Sequence, residues 1–251
     1  LVHSCDVYFY QVAQRLGIET IARYARAFGL GARSGLEFGS ESPGTIPDVA
    51  WKRRRFGQPW YAGETLSVAI GQGYVTATPL QMANMAAATA VGQRLRPHFV
   101  MQVEEPDGEL VRRFEPEVVA ALELKDSTLA LIREALHDVV HDREGTGRRA
   151  QLPGTAIAGK TLTSQVVRLK KQGQAATEIP WRFRDHAGFV AYAPADAPEI
   201  AVAVLVEHAE AGGGKVAAPV ARDVFAAYFE LKQQRLGVNY AQSGPAADRA
   251  L

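Results

Sequence analysis

The apolar residues of this chain change period once, and that change limits the fold more than any other feature. Before the turn Glu144-Gly145-Thr146-Gly147 they recur at helical steps, as in Val7, Tyr10, Ala13 and Leu16. After it they alternate, which predicts three strands: Thr155 to Val167, Ala187 to Ala193 and Glu199 to Glu207. The last two are joined by the short connection Pro194-Ala195-Asp196-Ala197-Pro198, so they pair antiparallel. Gly212-Gly213-Gly214 then precedes a long helix with Val220, Val224, Tyr228 and Leu231 on one face. Helices, then strands, then a closing helix predict an antiparallel sheet packed against helices. With 251 residues, 47% of them apolar, the chain can bury one substantial core.

Within the helical part, Gly17 stops a first helix, and a second runs from about Ile18 to Phe28. Gly31 to Gly63 is predicted as a long irregular loop that carries the basic run Lys52-Arg53-Arg54-Arg55. Thr78 caps, and Pro79 opens, an Ala/Met/Leu-rich helix to about Val91, apolar nearly all round and expected to be buried. Asp126 or Ser127 caps a further helix with Leu129, Ile132, Leu136 and Val139 as its stripe. Beyond Gly237 the tail has little to bury and is expected to fray.

Composition removes several function classes. Lys+Arg number 28 against 27 Asp+Glu, and that balance argues against a nucleic-acid binder driven by bulk charge. A single cysteine, Cys5, excludes an internal disulfide framework and a multi-cysteine zinc site. No apolar run approaches the roughly 18–20 residues of a membrane span. The first residues, Leu1-Val2-His3-Ser4, do not read as a signal peptide, and the chain is expected to be cut from something longer.

Two short segments carry chemistry-bearing residue types: Ser4-Cys5-Asp6 at a helix start, and Gly159-Lys160-Thr161-Leu162-Thr163-Ser164 in the first strand. A Ser-x-x-Lys nucleophile, a Ser-x-Asn-type element and a Lys-Thr-Gly strand together mark penicillin-binding proteins and serine β-lactamases. The second and third elements stand here in that chain order. Longer strings extend the likeness: Ser4-Cys5-Asp6-Val7-Tyr8-Phe9-Tyr10-Gln11-Val12-Ala13, Arg55-Phe56-Gly57-Gln58-Pro59-Trp60-Tyr61, and Ile70-Gly71-Gln72-Gly73-Tyr74-Val75-Thr76-Ala77-Thr78-Pro79-Leu80-Gln81-Met82. Arg184-Asp185-His186, ahead of Ala191-Tyr192-Ala193-Pro194, adds a fourth. On these residues, from about Ser4 to Leu231, the chain resembles the penicillin-binding protein 2 family, class B transpeptidases of bacterial cell elongation.

The resemblance implies an α/β fold, an antiparallel sheet flanked by helices with an all-helical lobe, and an active site between lobe and sheet. It implies peptidoglycan D,D-transpeptidation through an acyl-serine, inhibited by β-lactams, with no metal or organic cofactor. Stem peptides and β-lactams are the implied ligands, and a membrane glycosyltransferase of the elongation machinery is the implied partner. Residues 1–236 are then part of a transpeptidase domain outside the bacterial inner membrane, its single-pass anchor lying outside this chain. In the implied roles, Ser4 Oγ relays a proton towards the leaving amine. Asp6 stands where asparagine is usual and orients the substrate amide and Lys160. Lys160 supplies positive charge for the ligand carboxylate, which the Thr161 and Thr163 hydroxyls also bind. The Thr163 N–H is one oxyanion donor.

Three departures from that pattern matter. No serine in the chain has lysine three residues on, so the nucleophile, with the first strands of the sheet, is expected upstream of Leu1. Leu162 occupies the motif glycine, and a leucine facing the cleft would hold a ligand off the strand; Leu162→Gly is then expected to raise acylation at least about tenfold. Gly188 stands where a bulky residue is expected, with no account of it from sequence.

Structural readings stand beside these. Ser4 and Asp6 also suit helix caps, and Lys160 a strand lysine reaching solvent. Cys5 reads as a buried small hydrophobe. Lys52 to Arg55 read as a solvated loop or a contact for anionic wall polymer. Asp185-His186 reads as a structural tie, and His137 and His141, four apart on one helix, bind metal only if a third ligand converges. The rival functions are a non-catalytic wall-binding or scaffold homologue, and a β-lactamase or β-lactam sensor domain.

Overall fold

The computed structural model describes residues 1–36, 39–166 and 179–236. Its helical part begins with α1 (Asp6–Ala27), whose path breaks at Gly17, at φ 72°. This is the stop read from the sequence. Next come α2 (Val49–Phe56), α3 (Ala62–Ala69) and α4 (Pro79–Val91). The structure corrects the long loop expected over Gly31 to Gly63, because α2 and the start of α3 lie inside it. The basic run is therefore helical. Asp48 caps α2 by accepting from the Trp51 N–H at 2.6 Å, and Gly57 ends the helix in the left-handed conformation. In α4, Thr78 and Gln81 cap each other's backbone reciprocally, with Pro79 first in the helix.

Between α4 and the next helix lie two small two-stranded sheets that the sequence did not announce. One pairs β1 (Gln93–Leu95) with β4 (Val118–Ala121), the other β2 (Gln102–Glu104) with β3 (Leu110–Arg113). Strands of three or four residues are too short to display a period. Then α5 (Asp126–His141) begins after Lys125, so neither Asp126 nor Ser127 is its cap. Asp126 instead sits in the first turn, where a carboxylate suits the helix dipole.

The main sheet follows, with β5 (Ala158–Ser164), β6 (His186–Ala193) and β7 (Ile200–Val206) in the order β5-β6-β7, antiparallel throughout. Each lies inside its predicted range or within a residue of it; the end of the first prediction, Val167, falls outside the described residues. Helix α6 (Gly213–Leu236) covers one face, where Ala217, Ala218, Ala221 and Phe225 close over Phe189 and Ala191. The other face meets Ala86 and Ala90 of α4, which pack on Ala158, Val190 and Tyr192.

The stripe predicted for the last helix is corrected. Val220, Val224 and Leu231 are 45%, 41% and 54% exposed, and the buried stripe is made of alanines and Phe225. Close approach explains the choice. A Cβ on Gly213 would lie 2.0 Å from the Gly188 carbonyl oxygen, and one on Gly214 2.1 Å from that of Thr146. Only glycine lets α6 start so near the backbone of β6 and of the Thr146 turn, and alanines keep the helix close to the sheet beyond it. The tail expected to fray beyond Gly237 lies outside the described residues.

Candidate active site

β5 is an edge strand among the described residues, and its lysine meets the segment ahead of α1. Lys160 Nζ donates to Ser4 Oγ at 2.5 Å, to the Thr161 carbonyl at 3.1 Å and to Thr161 Oγ1 at 3.0 Å. An ammonium has three donors, and all three are spent on neutral oxygens. Burial pushes the Lys160 ammonium below the ordinary lysine range, and the Asp6 carboxylate pulls it partly back. Ser4 and Lys160 are thus brought together. Asp6, exposed in the first turn of α1, acts on Lys160 through charge rather than contact.

Ser4 is not a helix cap. Cys5 holds that position, without a side-chain cap bond, and is exposed, which corrects its reading as a buried hydrophobe. Ser4 has φ 49°, a left-handed conformation that costs a non-glycine residue about 1–3 kcal/mol and that concentrates at functional sites. The turn delivers its hydroxyl to Lys160.

Two residues that sequence reasoning missed complete the surroundings. Thr161 Oγ1 donates to Thr146 Oγ1 at 3.4 Å, and Thr146 Oγ1 donates to the Val2 carbonyl at 3.2 Å. One directed chain of hydrogens therefore runs from Lys160 through two threonines into the backbone ahead of Ser4. Gln72 Nε2 donates to the Thr163 carbonyl at 2.8 Å. It reaches from outside the sheet, between Gly71 and Gly73, both at positive φ. In an antiparallel strand the N–H and C=O of one residue point to the same side, so the Thr163 N–H faces outward too. The signal for Gln72 was its place in the quoted Ile70 to Met82 string. Thr146 gave none beyond a turn.

Leu162 lies on the Lys160 face of β5, but its side chain crosses to β6. It stands opposite Gly188, where an added Cβ would meet Leu162 Cδ1 at 2.5 Å. This corrects the expected obstruction of the cleft and gives Gly188 its physical reason. Beyond Thr163, the strand end opens on a cavity of about 160 Å³ lined by Arg184, Asp185, His186, Ala187 and residues 209–212. His186 Nδ1 accepts from the His208 N–H at 2.9 Å, which ties β6 to the end of β7. His137 and His141 stack at 4.3 Å, and His141 Nε2 accepts from the Ile157 N–H at 3.2 Å. Among the described residues no group of three or more metal-ligating side chains converges.

The basic run does not face a polymer as a unit. Lys52 is 1% exposed and pairs with Glu64, with its ammonium 4.3 Å from the centre of the Tyr61 ring. The sequence misled because a lysine among three arginines reads as solvated, and its partner lies on the next helix.

The Lys160 ammonium and the Ser4 hydroxyl thus meet beside the edge strand β5. The chain belongs to the penicillin-binding protein transpeptidase domain family, whose pattern matches residues 1–226. It is 41% identical over 229 residues to the peptidoglycan D,D-transpeptidase MrdA of Acinetobacter baumannii, covering 90% of this chain and 33% of that protein. Its fold superposes on Pseudomonas aeruginosa PBP2 in complex with WCK 5153 with a TM-score of 0.76 and 36% identity, over 96% of this chain and 50% of that one. A second likeness is the ceftriaxone acyl-enzyme complex of penicillin-binding protein A from Mycobacterium tuberculosis, with TM-score 0.68 and 30% identity, over 89% of this chain and 46% of that one. The chain thus spans about a third of the length of the curated relatives it matches.

Proposed function

We propose that this chain forms the strand-bearing part of a peptidoglycan D,D-transpeptidase of cell elongation, a target of β-lactams. The observation that carries the reading is the Lys160–Ser4 contact beside the outward edge of β5. A stem peptide lies along that edge as an added strand and displaces Gln72 from the Thr163 carbonyl. Its carboxylate meets the Lys160 ammonium and the Thr161 and Thr163 hydroxyls, and the Thr163 N–H points at the developing oxyanion. With an ammonium hydrogen directed at its oxygen, Ser4 is free to donate its own proton to the leaving amine of the terminal D-Ala. The acyl group, first ester-linked to a serine, passes to an amine of a neighbouring strand.

That serine and its lysine come from a segment outside these 251 residues, since no Ser-x-x-Lys is present. Among the described residues no helix is long and apolar enough to cross a membrane. The anchor and the elongation glycosyltransferase of the proposal also lie outside the chain, and the domain works outside the inner membrane. The missing Ser-x-x-Lys also favours a second reading, a non-catalytic homologue that only binds wall peptide.

Labelling with a fluorescent penicillin separates the two. The full-length gene product is expected to keep a labelled band through denaturing electrophoresis, while residues 1–251 alone stay unlabelled. An unlabelled full-length product selects the non-catalytic reading.

A further inference from the structure

Leu162 and Gly188 face each other across the β5–β6 ladder and are matched in size. A Cβ on Gly188 would lie 2.5 Å from Leu162 Cδ1, 2.8 Å from its Cγ and 2.9 Å from the Val204 carbonyl oxygen. No side chain fits there without moving the leucine. The Leu162 side chain therefore leans away from the outer edge of β5 and lies over the backbone of β6. Apolar surface holds it in that place, since it packs against the cluster of Ala158, Val190 and Tyr192.

Side chains alternate along a strand, so Lys160 and Leu162 share one face of β5. The direction in which Leu162 leans decides what lies beside the ammonium. A leucine has few staggered positions, and one turned off Gly188 points at the lobe or over the outer edge. An extended ligand needs that edge clear, because it must lie flat for the Thr163 N–H to reach its oxyanion.

Resting on the transpeptidase reading above, we propose that Leu162 and Gly188 form a specificity-determining pair. Gly188 receives the Leu162 side chain and so keeps the outer edge of β5 open to ligands with bulky groups beside the reacting carbonyl. The small residue that the family motif places on the edge strand has moved here to its neighbour. Neither departure from the pattern is then a defect, because each compensates the other. The two positions act as one unit, and a side chain added at position 188 while Leu162 is kept alters which ligands fit.

The test uses the full-length gene product, with benzylpenicillin and an oxyimino-cephalosporin as small and bulky probes. Second-order acylation rates and thermal midpoints are measured for Gly188→Ala, Leu162→Gly and the double variant. Gly188→Ala is expected to slow the cephalosporin about tenfold or more and benzylpenicillin less than about threefold, a displacement of the kind that a fraction of an ångström produces. Leu162→Gly alone is expected to stay within about threefold for both probes, and the double variant to recover the cephalosporin rate. If Gly188→Ala loses its cooperative transition, Leu162→Phe on the intact Gly188 replaces it, with the same selective slowing of the cephalosporin expected. Equal slowing of both probes, or a loss that Leu162→Gly does not restore, overturns the pair. Failure of the unsubstituted protein to acylate with either probe overturns the transpeptidase reading itself, and the pair's ligand role with it.

Discussion

Two lysines are drawn out of water in this molecule, and their surroundings make opposite use of them. Lys52, on α2, is sealed against the carboxylate of Glu64 and the ring of Tyr61. Lys160, on β5, is held by two hydroxyls and a carbonyl. A charge with its own carboxylate is already neutralised, and it fastens α2 to α3. A charge surrounded by neutral dipoles keeps its field, which an arriving carboxylate can meet. Burial alone therefore does not mark a lysine whose charge is available to a ligand; the charge of its partners does.

The comparison breaks most visibly if the two lysines are removed in turn. Lys160→Gln is expected to cut acylation of the full-length product by about 10²- to 10⁴-fold, with the thermal midpoint nearly unchanged. Stopped-flow acylation beside calorimetry checks both halves, and a large fall in stability with modest loss of rate would reverse the assignment. Lys52→Met is expected to do the converse. It leaves Glu64 without its cation and costs about 3–5 kcal/mol of stability. Adding Glu64→Leu should recover most of that in denaturant titration, because an apolar pair of similar volume replaces a buried ion pair at little cost.

The smallest expected effect is in pH, and it sharpens the contrast by sign. Burial pushes Glu64 upward, but the hydrogen bonds from Lys52 and the Tyr61 N–H outweigh it, and the carboxyl sits below its ordinary value of 4.5. Its contribution is full above that value and is lost as pH falls through the lowered one. Lys160 lies below the ordinary 10.5, so between its folded value and 10.5 the unfolded chain binds more protons. Stability from this group therefore rises with pH across that window. Urea unfolding across the pH range should show both limbs. Lys160→Gln should flatten only the alkaline one, and Glu64→Gln only the acid one.

What could be read from sequence was what local pattern encodes. The Gly17 break, the Thr78-Pro79 helix start and the three antiparallel strands follow from caps, turn residues and period. Lys160 and Ser4 were marked by motif. The partners that explain them were not, because those contacts join distant stretches. Gln72 reaches Thr163 from ninety-one residues away, and Thr146 spans 144 residues to Val2. Leu162 reads as an obstruction from its own strand alone, since only the register shows that Gly188 stands opposite it. Val220, Val224 and Leu231 read as a buried stripe because size predicts burial well until a helix must start against backbone, where only glycine fits and only alanine follows closely.

The edge of β5 has one further consequence, for the company the protein keeps. An uncovered strand edge invites any extended chain, including a second copy of the same protein, and runs of such pairings lead to aggregation. Here the two outward carbonyls of the motif are each occupied by a side chain of the protein itself, Thr161 by Lys160 and Thr163 by Gln72. A long strand would have to displace both guards and gain nothing specific in return. On the proposed reading, a short peptide that brings its own carboxylate to Lys160 compensates for the displacement at once. On that reading the same two side chains refuse a neighbour and admit a guest.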